Sequence, residues 1–149
     1  MNEIKTFLRT EHQNCDQQLA KCEEQVSHKE WSMAEKTGAA FVHAMELHLA
    51  REEEVLFPAI EAATGMRGGP TAVMRLEHNQ MRELLAQMKP ALEGHNDTKF
   101  LGLSETLMIL IQQHNLKEEQ ILYPMADQVL SSQKPDIVNR IQAHHSSSV

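Results

Sequence analysis

The chain has 149 residues, with 14 Lys plus Arg against 21 Asp plus Glu, a formal charge of -7. That is one domain's worth of chain, and its acidic balance argues against nucleic acid or an anionic membrane surface as main partner, since both attract a basic face. No apolar run approaches the roughly 20 residues of a spanning helix, and Met1-Asn2-Glu3-Ile4-Lys5 has no apolar leader core, so a soluble cytoplasmic protein without a membrane partner is expected.

With 6 Gly, 5 Pro and 4% aromatic residues, turns and strand formers are scarce, and an all-α fold is predicted. The first helix is expected over about 2–25, with Ile4, Leu8, Cys15, Leu19 and Cys22 on one stripe. A second runs over about 32–62, until Thr64-Gly65-Met66-Arg67-Gly68-Gly69-Pro70 stops it and Pro70 opens the next. The third covers about 71–93, with Pro90 a candidate early end, and the fourth about 98–131. A short helix after Pro135 and a disordered Ser146-Ser147-Ser148 complete the reading. It divides the chain into an up-down-up-down four-helix bundle over 1–131 and a partly disordered tail over 132–149. Cys15 and Cys22 lie two helical turns apart, about 10 Å, too far for a disulfide. Free thiols suit a reducing compartment.

An internal repeat decides what the bundle carries. Glu11-His12 and Glu77-His78 are offset by 66, and the same offset lays His48-Leu49-Ala50-Arg51-Glu52-Glu53-Glu54-Val55-Leu56-Phe57-Pro58 on His114-Asn115-Leu116-Lys117-Glu118-Glu119-Gln120-Ile121-Leu122-Tyr123-Pro124. On a helix, residues four apart project within about 40° of each other. His48 with Glu52, and His114 with Glu118, therefore each offer an imidazole and a carboxylate in one direction. The flanking residues Met45, Val55, Ile111 and Ile121 mark that direction as inward, and His12 and His78 share inward stripes with Leu8, Leu19, Met74 and Leu85.

Two carboxylates buried in a core are very costly without positive charge beside them. Two metal ions would supply it, with Glu52 and Glu118 bridging both and His12, His48, His78 and His114 capping them two to each. Mixed nitrogen and oxygen donors suit iron or manganese better than a closed structural zinc, though zinc or manganese could substitute.

At these residues the sequence resembles the hemerythrin-like (HHE cation-binding) family, over about Thr10 to Asp127. His12 matches the lone histidine of the family's first helix, His48-x-x-x-Glu52 its second-helix pair, His78 its third-helix ligand, and His114-x-x-x-Glu118 its terminal pair. The resemblance implies a four-helix bundle around two iron ions with an oxo, hydroxo or carboxylate bridge. Two positions depart from the oxygen carriers. Arg82 stands where they have a second third-helix histidine, and the last carboxylate follows His114 by four residues instead of five. Both bring the site closer to the iron-sensing and cluster-repair branches.

Under the repeat Asp16 is the counterpart of Arg82. Asp16 is expected either to pair with Arg82 over the metals or to add a ligand. Glu53, Glu54 and Glu119 fall off the inward stripe and are expected in solvent. His43 lies about 140° from His48 and reads as a surface or supporting residue, while His28, His95, His144 and His145 read as bystanders. Met45, Met74, Met81 and Met88 read as gap-filling core, and Cys15 as a small buried side chain. Tyr123, about 180° from His114 on a regular helix, reads like Phe57 as packing.

The reading of function is a binuclear non-haem iron-binding protein that binds or senses oxygen, nitric oxide or iron itself, reporting to an unidentified protein partner. The alternative is a di-iron enzyme that reduces peroxide or oxidises ferrous iron, or an iron donor for iron–sulfur cluster repair. The repair families bring an additional cysteine segment, for which the residues before His12 leave no room.

Overall fold

The computed structural model describes residues 3–144, and among them helix dominates and no strand occurs. Helix α1 spans Ile4–Ser27 and α2 spans Trp31–Arg51. A π-helical turn at Glu52–Leu56 carries α2 without a break into α3, Phe57–Thr64. Helix α4 (Pro70–Glu93) and α5 (Asp97–Lys117) repeat the arrangement, with a second π turn at Glu118–Leu122 leading into α6, Tyr123–Val129. A 3-10 turn at Ser131–Gln133 introduces α7, Lys134–Ala143. Helix α1 packs on α2, α2 on α4, α4 on α5 and α5 on α1, which closes the four-helix bundle. No described helix is long and apolar enough to cross a membrane.

The boundaries follow local chemistry. Gly65 takes φ 72° just past α3, where a side chain would be strained, and Pro70 starts α4 where its missing N–H costs nothing. Asn96 caps α5 by accepting from the Lys99 N–H at 3.0 Å. The start of α1 is capped across the chain instead: the Ile4 N–H donates to Asp127 of α6 at 2.9 Å. Pro90 does not end α4, which continues to Glu93. So close to the terminus it removes a single internal hydrogen bond. Gly38 allows α2 and α4 to approach, since a Cβ there would lie 2.5 Å from Leu92 Cδ1.

Two apolar clusters fill the interior. One gathers Cys15, Leu19, Phe41, Met45, Met81, Leu85, Met88, Phe100 and Ile111. The other gathers Ile4, Leu8, Val55, Phe57, Met74, Leu122 and Tyr123, and α7 adds Ile137, Val138 and Ile141 to it. The segment after Ser131 thus packs on the bundle. Asn2, His145 and Ser146-Ser147-Ser148 lie outside the described residues.

Cys15 and Cys22 are both buried free thiols. Burial first, then neighbouring carboxylates, pushes Cys15 up to about 12 and Cys22 up to about 11. Neither is a thiolate near neutrality, which agrees with packing roles. The four methionines of the bundle axis, Met45, Met74, Met81 and Met88, are buried as expected.

The polar layer between the clusters is fixed by sequence order. His12 falls between Leu8 and Cys15, His48 between Met45 and Val55, His78 between Met74 and Met81, and His114 between Ile111 and Leu122. Each flanking Leu or Met contributes about 1.5–3 kcal/mol on burial. Together they hold in place a layer that would be unfavourable alone.

Candidate metal centre

Both π turns begin at the glutamate that follows a histidine by four, and both precede a proline, Pro58 or Pro124. A proline six residues after the glutamate has no N–H for the carbonyl four before it, and its ring crowds that carbonyl. The turn widens, and the Phe57 and Tyr123 N–H groups bond back five residues to the Glu52 and Glu118 carbonyls. More residues per turn means a smaller angular step, so every side chain beyond the glutamate is rotated from its regular-helix position.

Within this frame the six buried side chains converge. His12, His48, Glu52 and Glu118 form one group, and Glu52, His78, His114 and Glu118 form a second, each with one potential ligand atom per residue lying within 4.8 Å of the others. Glu52 and Glu118 belong to both groups and are fully buried. His12 Nε2 and His48 Nε2 face each other at 3.1 Å. In the second group, His78 Nε2 lies 3.1 Å from Glu52 Oε1, and His114 Nε2 3.1 Å from Glu118 Oε2. These four atoms are buried, yet their alignment leaves none of them a hydrogen-bond partner. Buried polar atoms are rarely orphaned without a reason such as an ion. Two imidazole nitrogens and two carboxylate oxygens turned inward, with the imidazoles deprotonated, fit a divalent or trivalent cation.

The imidazoles are aimed from behind. Every Nδ1–H donates to a carboxylate, which can only accept: His48 to Glu11 at 2.8 Å, His114 to Glu77 at 2.7 Å, His78 to Glu53 at 2.7 Å and His12 to Glu119 at 2.7 Å. This fixes the tautomer with Nε2 turned to the centre, as metal-binding imidazoles require. The outer carboxylates are anchored in turn: Arg51 donates to Glu11, Lys117 to Glu77, and Arg82 to Glu53 at 2.7 and 3.1 Å. Burial of Glu53 raises its carboxyl, but bonding to His78 and Arg82 outweighs that and brings it to about 2.

Several expectations are corrected here. Glu53 and Glu119 do not stand free in solvent: each is half-buried and accepts from an imidazole of the other hairpin, His78 or His12; Glu54 is exposed, as expected, and meets His144 at 3.3 Å. Ile121, expected to flank the site, is an exposed residue. Asp16 does not pair with Arg82, whose guanidinium is taken by Glu46 and Glu53. Asp16 stands outside both ligand groups, with Oδ1 buried and without a hydrogen-bond partner. Burial and the Glu119 charge raise its carboxyl against the pull of His12. Of the remaining histidines, His43 is exposed, His28 bonds the Glu24 carbonyl at 2.8 Å, and His95 stacks on Trp31.

The largest correction is Tyr123. Its buried hydroxyl donates to Glu52, lies 2.9 Å from Glu118 Oε1, and is 3.1 Å from His12 Nε2. Burial, reinforced by the charges of Glu118 and Glu52, keeps the phenol protonated far above its ordinary range. Its repeat partner Phe57 stacks on His78 with ring centroids 5.5 Å apart, so the two subsites differ by a hydroxyl. In the metal-free protein this hydroxyl bonds one carboxylate and sits against a second. Tyr123→Phe is therefore expected to lower metal-free stability by about 1–3 kcal/mol in urea unfolding. An unchanged midpoint would contradict that role.

A family profile described as the hemerythrin HHE cation binding domain matches residues 4–126. The chain belongs to the hemerythrin HHE cation-binding family. Among curated relatives, this hemerythrin-family chain is 34% identical over 89 residues to the iron-sulfur cluster repair protein YtfE of Escherichia coli O81 (strain ED1a), covering 53% of this chain and 40% of the relative. The YtfE of Salmonella schwarzengrund (strain CVM19633) is 32% identical over the same length and shares. The match thus spans less than half the length of these relatives. No solved structure matches the chain significantly.

For a hemerythrin-family centre, the carboxylates behind the imidazoles should matter nearly as much as the imidazoles. Glu53→Ala leaves His78 Nδ1 and Arg82 without their shared partner. A roughly 10–100-fold loss of metal affinity is expected in chelator competition, with helix content unchanged.

Proposed function

We propose that this chain holds two iron ions, the first by His12 and His48 and the second by His78 and His114, with Glu52 and Glu118 bridging both, and that it binds a small molecule of one or two heavy atoms there. The observation that carries this reading is the pair of overlapping groups that share two fully buried carboxylates. A single ion would leave one pair of imidazoles facing nothing. Iron is favoured over a structural zinc by the mixed nitrogen and oxygen donors and the absence of thiolate from both groups.

The space beside the centre supports a small ligand. A cavity of about 10 Å³, lined by His12, Cys15, Asp16, His48, His114 and Asn115 among others, opens on the imidazole side. That volume is about one water molecule's worth. So small a space favours a ligand of one or two heavy atoms over an organic substrate. When bound, iron would supply redox and Lewis-acid chemistry. The chain's own residues aim the Nε2 lone pairs, hold a proton on Tyr123 Oη between Glu52 and Glu118, and exclude bulk water. The names of the YtfE relatives favour a second reading, in which the centre donates iron for cluster repair.

Elemental analysis of purified chain should find close to two irons, lost in a His48→Ala/His114→Ala protein. Stoichiometric, reversible spectral change with oxygen or nitric oxide supports ligand binding. Multiple turnovers of peroxide, or transfer of iron to an apo-cluster protein, would support the enzymatic and donor readings instead. Failure to bind metal after anaerobic reconstitution sinks all of them.

A further inference from the structure

The repeat that builds the metal centre also relates two outer faces, and these have different fates. On the first hairpin α7 packs against α1 and the first π turn, burying Val55 and partly burying Phe7. Arg51 fastens α7 there by donating to the Gln142 carbonyl at 3.1 Å and the His144 carbonyl at 3.3 Å. Sixty-six residues on, the counterparts of Phe7, Ala50 and Val55 are Val73, Leu116 and Ile121. They are 48%, 55% and 63% exposed. No described helix plays the part of α7 on the second hairpin.

The geometry points to a second copy of this chain as the cover, with the α5 helices of two copies packed antiparallel about a two-fold axis near Gln112 and Gln113. Between 105 and 121 the exposed residues carry only two charges, Glu105 and Lys117, one at each end. Antiparallel pairing sets Ile109 of one copy against Leu116 of the other. The uncharged Gln112 and Gln113 meet across the axis. A two-fold contact must be complementary to itself, and a stripe of Thr106, Ile109, Gln112, Gln113 and Leu116, with no exposed charge between its ends, meets that requirement. With a net charge of -7 on each chain, a charge-poor face is where two copies repel least. Charge depletion around exposed aliphatic side chains is also what distinguishes the centre of an interface from ordinary surface.

Sedimentation analysis of the full chain, metal-loaded and metal-free, tests this. A particle of twice the 16.9 kDa chain mass is expected at tens of micromolar. Leu116→Glu and Ile109→Glu should each weaken the dimer by roughly tenfold or more. Met33→Glu, at an exposed methionine of α2 away from this face, should leave it intact. Gln113→Cys should form a disulfide between copies on mild oxidation, since the native thiols are buried. A monomer at every concentration overturns the proposal. So does a dimer that survives both glutamate substitutions, or a Gln113→Cys protein that remains uncrosslinked. Circular dichroism of each variant separates these outcomes from misfolding, and iron content separates them from failure of the metal centre.

Discussion

Glu52→Gln/Glu118→Gln is expected to leave a folded helical bundle with essentially no bound iron, a larger loss than any single histidine substitution produces. Each imidazole serves one ligand group, whereas these two carboxylates serve both. Their removal takes half the donors from each subsite and all the negative charge from the centre. The fold should persist, because the two apolar clusters on either side of the polar layer hold the helices together, although loss of the carboxylates beside His12 and His78 lowers metal-free stability. Elemental analysis with circular dichroism reads both halves of the result. Retention of two irons would exclude the bridging roles, whereas a collapsed helix signal would show that the carboxylates are structural in the absence of metal.

Metal binding should also release about two protons per chain near neutrality. Burial works against the imidazolium of His12, yet its hydrogen bond to Glu118 and the charges of Glu118 and Glu52 raise it to about 9. Burial likewise opposes His78, and the Glu52 and Glu53 carboxylates beside it raise it to about 9. Both are therefore protonated in the metal-free chain at neutral pH, and both must lose a proton to present a lone pair. Affinity should climb with pH by up to about a hundredfold per unit until about 9, then level off. The metal-free protein should behave oppositely. Groups raised above their unfolded value of 6.5 stabilise the fold fully below that pH, and the contribution disappears as pH rises through about 9. Titration calorimetry in two buffers of different ionisation enthalpy gives the proton count, and equal heats in both would refute it.

The six inward side chains are legible in the sequence because their period and their repeat agree. His12, His48, Glu52, His78, His114 and Glu118 all lie before or at the start of a π turn, where regular-helix arithmetic still holds. It fails beyond them. Tyr123 is misplaced by the rotation, Glu53 and Glu119 reach imidazoles of the other hairpin, and Ile121, read as inward, is exposed where its repeat partner Val55 lies under α7. The signal for the turns is present as Pro58 and Pro124, each six residues beyond its glutamate, but a proline alone does not say whether a helix kinks, ends or widens. The outer carboxylates had a signal too. Glu11 with Glu77, and Glu53 with Glu119, recur at the same offset of 66, and a residue repeated beside a repeated histidine has a use. Asp16 and Arg82 show the limit of that logic, since equivalent positions with opposite charges took different partners.

The outer carboxylates also record how the two hairpins depend on each other. Glu53 leaves the first half to hold His78 of the second, and Glu119 leaves the second to hold His12 of the first. The loan is mutual, so neither hairpin can orient its own complement of imidazoles. Two separate peptides, cut within the 65–69 loop, would possess every contact the intact centre has. The loop contributes only local concentration, sparing the halves the entropy of finding one another.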